Sequence, residues 1–132
     1  MFRVLIEVFV SKSILIVDDS PVMRKVLRAT LEHQADWQVC GEASNGREGV
    51  EMVQKVKPDL VLLDLSMPVM NGLEAARELN QLFPSVPLVM FTNFETDHLK
   101  QEALSAGIKA VVSKDSVGAM LSSIQSLLEP VS

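Results

Sequence analysis

Asp18-Asp19, Asp64, Thr92 and Lys114 each stand behind a short apolar run: Ile14–Val17, Leu60–Leu63, Leu88–Phe91 and Ala110–Val112, the last with Ser113 between. Such runs read as strands of a parallel sheet buried on both faces. In an open sheet of that kind the strand ends meet along one rim, so residues distant in sequence share a site. The shared site would hold three carboxylates, one hydroxyl and one ammonium. That set suits a divalent cation together with a phosphoryl group. Taken singly, each residue has a plainer reading. The acidic pair suits a helix cap, Thr92 a structural strand-end hydroxyl, and Lys114 a solvated surface lysine. Their common placement behind strands favours the site.

The elements that must position these residues alternate along the chain. Strand β1 is read over Ser13–Val17. Ser20 then caps α1 with Pro21 at its first position, and Val22, Val26, Leu27 and Leu31 recur at helical spacing. Strand β2 follows over Trp37–Glu42. Ser44-Asn45-Gly46 opens α2, which bears Val50, Val53 and Val56 on one face and ends before Pro58. Strand β3 spans Asp59–Leu63. A loop with Pro68 and Asn71-Gly72 leads to α3, carrying Leu73, Ala76 and Leu79. Pro84 and Pro87 bracket a turn before β4, Leu88–Phe91. Helix α4 covers Glu95–Ala106 and closes at Gly107 in the left-handed cap position. Strand β5 is Lys109–Ser113, and α5 runs Ser116–Leu128 with Val117, Met120, Leu121, Ile124 and Leu128 facing in.

Five βα units predict an α/β protein, a flavodoxin-like doubly wound parallel sheet of five strands in the order 2-1-3-4-5 with five helices. Its switch point lies between β1 and β3, which sets Asp18-Asp19 beside Asp64. Residues 13–132 form one domain, and residues 1–12 are an extension ahead of it that could serve as a tail, an edge strand or a pairing arm. After Leu128 only Glu129–Ser132 remain, so no output domain is expected in this chain.

Composition narrows the function classes. With 132 residues the chain can bury a sizeable core. Its net charge of −5 gives no overall basic footprint for nucleic acid or an anionic membrane. No apolar stretch reaches the roughly 20 residues that span a bilayer. The apolar start, broken by Arg3 and Glu7, lacks the parts of a signal peptide. Cys40, the single cysteine, forms no internal disulfide and reads as an inert core residue in a cytoplasmic protein. His33 and His98 fall on exposed helix faces, and the seven methionines sit mostly at apolar positions, as packing.

From Ser13 to about Leu128 the chain resembles the receiver domains of bacterial two-component response regulators. The resemblance rests on Ile16-Val17-Asp18-Asp19-Ser20, on the block Asp64-Leu65-Ser66-Met67-Pro68-Val69-Met70-Asn71-Gly72, on Thr92 after β4 and on Lys114 after β5. It implies a phosphoacceptor signalling domain, not an enzyme in the ordinary sense. Asp64 would take a phosphoryl group from a phosphohistidine on a sensor histidine kinase or a histidine phosphotransfer protein. Mg²⁺ would be the cofactor, bound directly by Asp19 and Asp64, through water by Asp18, and by the backbone carbonyl of Ser66. Lys114 would pair with Asp64 before reaction and with the phosphoryl group after it. Thr92 would turn its hydroxyl toward the new phosphoryl oxygen, and the α4-β5-α5 surface would change for a downstream protein target or output domain. The protein is expected to be a monomer or weak dimer.

Four positions depart from the common pattern of the family. Val111 stands where an aromatic residue often reports the switch. Asn93 replaces a small residue after Thr92, and Asp115 replaces proline after Lys114, so a trans bond is expected there, with Asp115 or Ser116 free to cap α5. Ser66 and Phe94 occupy the two positions that tune hydrolysis. Neither offers an acid or amide to orient water, and Phe94 would shield the phosphoryl group, so slow self-dephosphorylation is expected.

Other classes fit less well. A receiver-like adaptor working without phosphorylation has no need of the whole acidic set, and an excised receiver of a DNA-binding regulator is suggested only by Lys114-Asp115-Ser116. An aspartate-nucleophile phosphohydrolase would show Asp-x-Asp where this chain has Asp64-Leu65-Ser66, and no Gly-rich phosphate loop follows β1. A flavin protein on the same architecture would be coloured.

Overall fold

Because successive strand residues point to opposite faces, the runs Ile14–Val17 and Leu60–Leu63 supply apolar side chains to both sides of a sheet at once. The computed structural model describes residues 11–129. Residues 1–10, which hold most of the expected extension, and residues 130–132 lie outside the described part. The strands are β1 Lys12–Val17, β2 Trp37–Ala43, β3 Leu60–Leu63, β4 Leu88–Thr92 and β5 Ala110–Ser113. All pairs are parallel, in the order β2-β1-β3-β4-β5. The helices are α1 Pro21–Glu32, α2 Gly46–Val56, α3 Gly72–Leu82, α4 Asp97–Ser105 and α5 Val117–Leu128. This is the doubly wound five-stranded fold expected from the sequence.

Two apolar layers flank the sheet. On one side Leu15, Val17, Val61 and Leu63 pack with Val50 and Val53 of α2, Leu79 of α3, and Leu99 and Ala103 of α4. On the other, Ile14, Ile16, Leu60 and Leu62 meet Leu27 and Leu31 of α1 and Met120 and Ile124 of α5. Thus α1 and α5 share one face. Cys40 is half-buried against the first layer, and burial raises its thiol pKa.

Caps fix the rim where strands turn into helices. Ser20 Oγ accepts from the Met23 N–H at 3.1 Å, with Pro21 at the first helical position. Asn45 Oδ1 accepts from Glu48 N–H at 2.8 Å, and Asn71 and Glu74 bond reciprocally in a capping box. Thr96 Oγ1 accepts from Leu99 N–H, so α4 begins at Asp97, two residues later than expected from Glu95. Gly107, at φ +94, follows the end of α4 in the left-handed region as anticipated.

Some expectations need correction. Thr92 is the last residue of β4, paired with Ser113, rather than a residue beyond the strand. Val22 and Val26, which share the helical spacing of Leu27 and Leu31, are 74% and 52% exposed, and Val117, expected to face in, is 43% exposed. Strand β1 begins at Lys12, whose N–H donates to the Asp36 carbonyl, so one residue of the expected extension belongs to the sheet. Ser116 stands at the N-cap of α5 but its side chain makes no cap bond. The described chain contains no cis peptide bond, so Lys114-Asp115 is trans.

Candidate functional site

The pairing of Val17 with Leu63 brings the ends of β1 and β3 level. The ladder carries the next residues with it. Asp18 N–H donates to the Ala43 carbonyl at 3.0 Å and Asp64 N–H to the Val17 carbonyl at 2.9 Å. Asp18 and Asp64 are therefore buried side by side, while Asp19 is exposed. From the other half of the sheet, Lys114 N–H donates to the Thr92 carbonyl at 3.0 Å. The four strand ends predicted to converge do so.

Asp18, Asp19 and Asp64 each offer a carboxylate oxygen, and these oxygens lie within 4.8 Å of one another. An all-oxygen donor set of this kind fits a hard divalent cation such as Mg²⁺. The Lys114 ammonium closes the group from below, its side chain only 11% exposed. Its Nζ stands 3.1 Å from Asp18 Oδ2 and 3.3 Å from Asp64 Oδ1. Asp18 is held on every side, since its Oδ1 also accepts from the Ser20 N–H at 2.9 Å. Asp64 Oδ1 also accepts from the Leu65 N–H at 2.9 Å.

Burial raises the Asp64 pKa from its ordinary value, and the neighbouring Asp18 charge adds to this, although Lys114 opposes both. For Lys114, burial works against the ammonium. Its hydrogen bond to Asp18 and the charges of Asp64 and Asp18 outweigh that and hold its pKa up. Three carboxylates around one ammonium leave the pocket short of positive charge, which is the electrostatic condition for binding a cation.

The loop after Asp64 is tightly folded. Met70 N–H donates to the Pro68 carbonyl at 2.7 Å across Val69, whose φ is +68. This is a γ-turn of the strained positive-φ kind, on a β-branched residue. Gly72 N–H donates to the Leu65 carbonyl at 2.8 Å, and a methyl group at Gly72 would collide with the Asp64 carbonyl. Ser66 is exposed in this loop, two residues past Asp64. Thr92 is fully buried, and its Oγ1 accepts from the Phe94 N–H at 3.1 Å. The Phe94 side chain is 60% exposed. Asn93 is exposed, and Val111 packs against the first apolar layer.

Sequence reading missed one neighbour of this group. Arg24, one turn into α1, reaches back so that its Nη1 donates to the Asp18 carbonyl at 2.6 Å. Its acceptor is a backbone atom, which leaves no trace in residue types. Among the described residues no helix is long and apolar enough to cross a membrane.

Comparison with known proteins agrees with this geometry. The chain is 47% identical over 98 residues to the protein-glutamate methylesterase/protein-glutamine glutaminase of Pyrococcus horikoshii, a match covering 74% of this chain but 25% of that protein. The chain thus spans only about a quarter of the length of such relatives. It is 38% identical over 103 residues to the chemotaxis protein CheY of Thermotoga maritima, covering 78% of this chain and 85% of that one. Its backbone superposes on the crystal structure of the response regulator domain of Thermotoga maritima CheB with a TM-score of 0.84 at 27% identity, over 91% of this chain and 99% of the other. Residues 14–125 match the model of the response regulator receiver domain, and the chain belongs to that family of two-component signalling domains.

Proposed function

We propose that this receiver takes a phosphoryl group onto Asp64 from a phosphohistidine of a sensor histidine kinase or phosphotransfer protein. In this role it works in the cytoplasm and presents a changed α4-β5-α5 surface to a downstream target or output domain. It catalyses no reaction beyond its own phosphorylation and dephosphorylation. The observation that carries the reading is the bridging ammonium, with Lys114 Nζ within 3.3 Å of both Asp18 and Asp64 at the meeting of β1, β3 and β5.

The chemistry follows from the side chains. An Asp64 carboxylate oxygen attacks phosphorus, and the phosphorus–nitrogen bond to imidazole breaks. The bonding pair leaves with the ring nitrogen, and the imidazole departs neutral because its other ring nitrogen keeps its N–H proton. The product is an aspartyl phosphate, a mixed anhydride. Lys114 then moves its pairing from the Asp64 carboxylate to a phosphoryl oxygen, as a flexible point charge is able to do. Thr92 keeps its hydroxyl proton free, because in the resting protein its oxygen acts as acceptor for the Phe94 N–H. That proton is available to a phosphoryl oxygen, and turning toward it would release the 93–96 segment ahead of α4. Asp18, Asp19, Asp64 and the Ser66 carbonyl would hold Mg²⁺, whose charge would offset the repulsion between an anionic donor and an anionic nucleophile.

A phosphohistidine partner needs a footing near the rim. Val22 and Val26 of α1 and Val117 of α5 are exposed apolar residues on helices packed against the same side of the sheet, and they suit such a footing.

Intact-mass measurement after incubation with Mg²⁺ and acetyl phosphate tests the reading. The expected result is one phosphoryl adduct that disappears in Asp64→Asn and with chelator. No adduct from acetyl phosphate or from phosphorylated kinase would overturn it.

A further inference from the structure

The Asp19 carboxylate is the exposed member of the acidic group, and no protein donor holds it among the described residues. Asp18 is tied at its N–H, at both carboxylate oxygens and at its carbonyl. The direction of Asp19 therefore depends on the peptide plane that joins the two residues. The Asp18 carbonyl is the handle on that plane, and Arg24 Nη1 grips it at 2.6 Å.

Arg24 is itself held. Its Nε donates to Glu42 Oε1 at 3.1 Å, and Arg28 Nε donates to Glu42 Oε2 at 2.7 Å. Arg28 in turn lies 3.6 Å from Glu32, one turn along α1. Hydrogen bonding from Arg28, with lesser contributions from its charge and from Arg24, holds the Glu42 carboxyl below its usual pKa. Glu42 is thus an anion at neutral pH, fixed to β2 and aimed at the guanidinium. The Arg24 side chain is only 17% exposed, so its rotamer is set by these contacts rather than by solvent. Both ends of the arrangement are needed. A guanidinium presents several donors in one rigid plane and can serve a carboxylate and a carbonyl at once.

We propose that Arg24, oriented by Glu42, is a positioning residue for the cation pocket: it fixes the Asp18–Asp19 peptide plane and so aims the otherwise unheld Asp19 carboxylate. This rests on the reading of Asp18, Asp19 and Asp64 as a Mg²⁺ site. Groups that orient metal ligands from outside typically influence affinity by 10–100-fold.

The test is Mg²⁺ binding to the unphosphorylated protein by calorimetry, alongside thermal unfolding. Arg24→Ala is expected to weaken binding by about tenfold. Arg24→Lys should fall between it and the parent, since an amine can reach the carbonyl but cannot also serve Glu42 in a fixed plane. Arg28→Ala is the matched control. It removes the other half of the Glu42 pairing but touches no pocket atom, so it should lower the melting temperature while costing Mg²⁺ affinity clearly less than Arg24→Ala does. Equal affinity in Arg24→Ala and the parent would overturn the inference, as would equal losses in Arg24→Ala and Arg28→Ala. Absence of binding in the parent protein would overturn the pocket reading and this inference with it. If Arg24→Ala does not fold, the same comparison is made between Arg24→Lys and Arg28→Ala, and equal affinities there would overturn the inference.

Discussion

Ionising Asp64 in the folded protein costs stability, because burial and the neighbouring Asp18 raise its pKa. A group whose folded pKa is raised binds its proton more tightly folded than unfolded. Its protonated form therefore stabilises the fold, and that contribution is lost as pH rises from the ordinary carboxylate range, about 4, through the raised folded value. Asp64→Asn removes the ionisation. In the absence of divalent cation it should unfold at a higher temperature than the parent at pH 7, and its stability should vary less with pH above about 4. Thermal scans across pH in chelator check this, and an unchanged or lower melting point at pH 7 would contradict the role of burial. Phe94 carries the second prediction at this scale. Its exposed ring stands two residues after Thr92, whose hydroxyl oxygen accepts from the Phe94 N–H, so Phe94→Ala should speed loss of the phosphoryl group by a few-fold if the ring limits water access. An unchanged rate would dismiss shielding, and phosphate release from the isolated phosphoprotein measures it.

At the scale of elements, the loop between β3 and α3 carries strain beside Asp64. Val69 has φ +68 and is almost wholly exposed, so no packing compensates for its conformation. A non-glycine residue in such a region costs on the order of 1–3 kcal/mol. Val69→Gly relieves that strain but adds freedom to the unfolded chain, so a net gain of about 1 kcal/mol is expected in urea unfolding. Nothing in the sequence marks Val69, because glycine or asparagine is the usual sign of positive φ and neither stands there. Helix α1 shows a related limit. Val22 and Val26 form one row at i and i+4, and Met23, Leu27 and Leu31 form a parallel row one residue on. Spacing alone does not say which row meets the sheet, and it is the second that does. The caps were easier to read, since Ser20-Pro21, Asn45-Gly46 and the Asn71…Glu74 box are local chemistry with local partners.

Across the whole molecule, the fold and the four-strand convergence were legible because both follow from the order of short apolar runs. The site residues lie at the ends of those runs, where the parallel topology leaves them little choice. Contacts to backbone atoms, such as Arg24 to Asp18, were not legible, since any residue supplies a carbonyl. Leu62 lies in the central strand β3 beneath both α1 and α5. Leu62→Ala should cost about 2–5 kcal/mol in chemical unfolding, a large share of the roughly 5–15 kcal/mol typical of a domain. A loss below about 1 kcal/mol would mean that this layer collapses to fill the gap. The Lys114–Asp18 hydrogen bond joins residues 96 apart in sequence. A ribosome must therefore deliver nearly the whole domain before the ammonium can reach the carboxylates, and until then the acidic residues already made face one another without their counter-charge. Competence to accept a phosphoryl group should thus arrive late and all at once during synthesis, which would make it a usable timer for completion of the sheet.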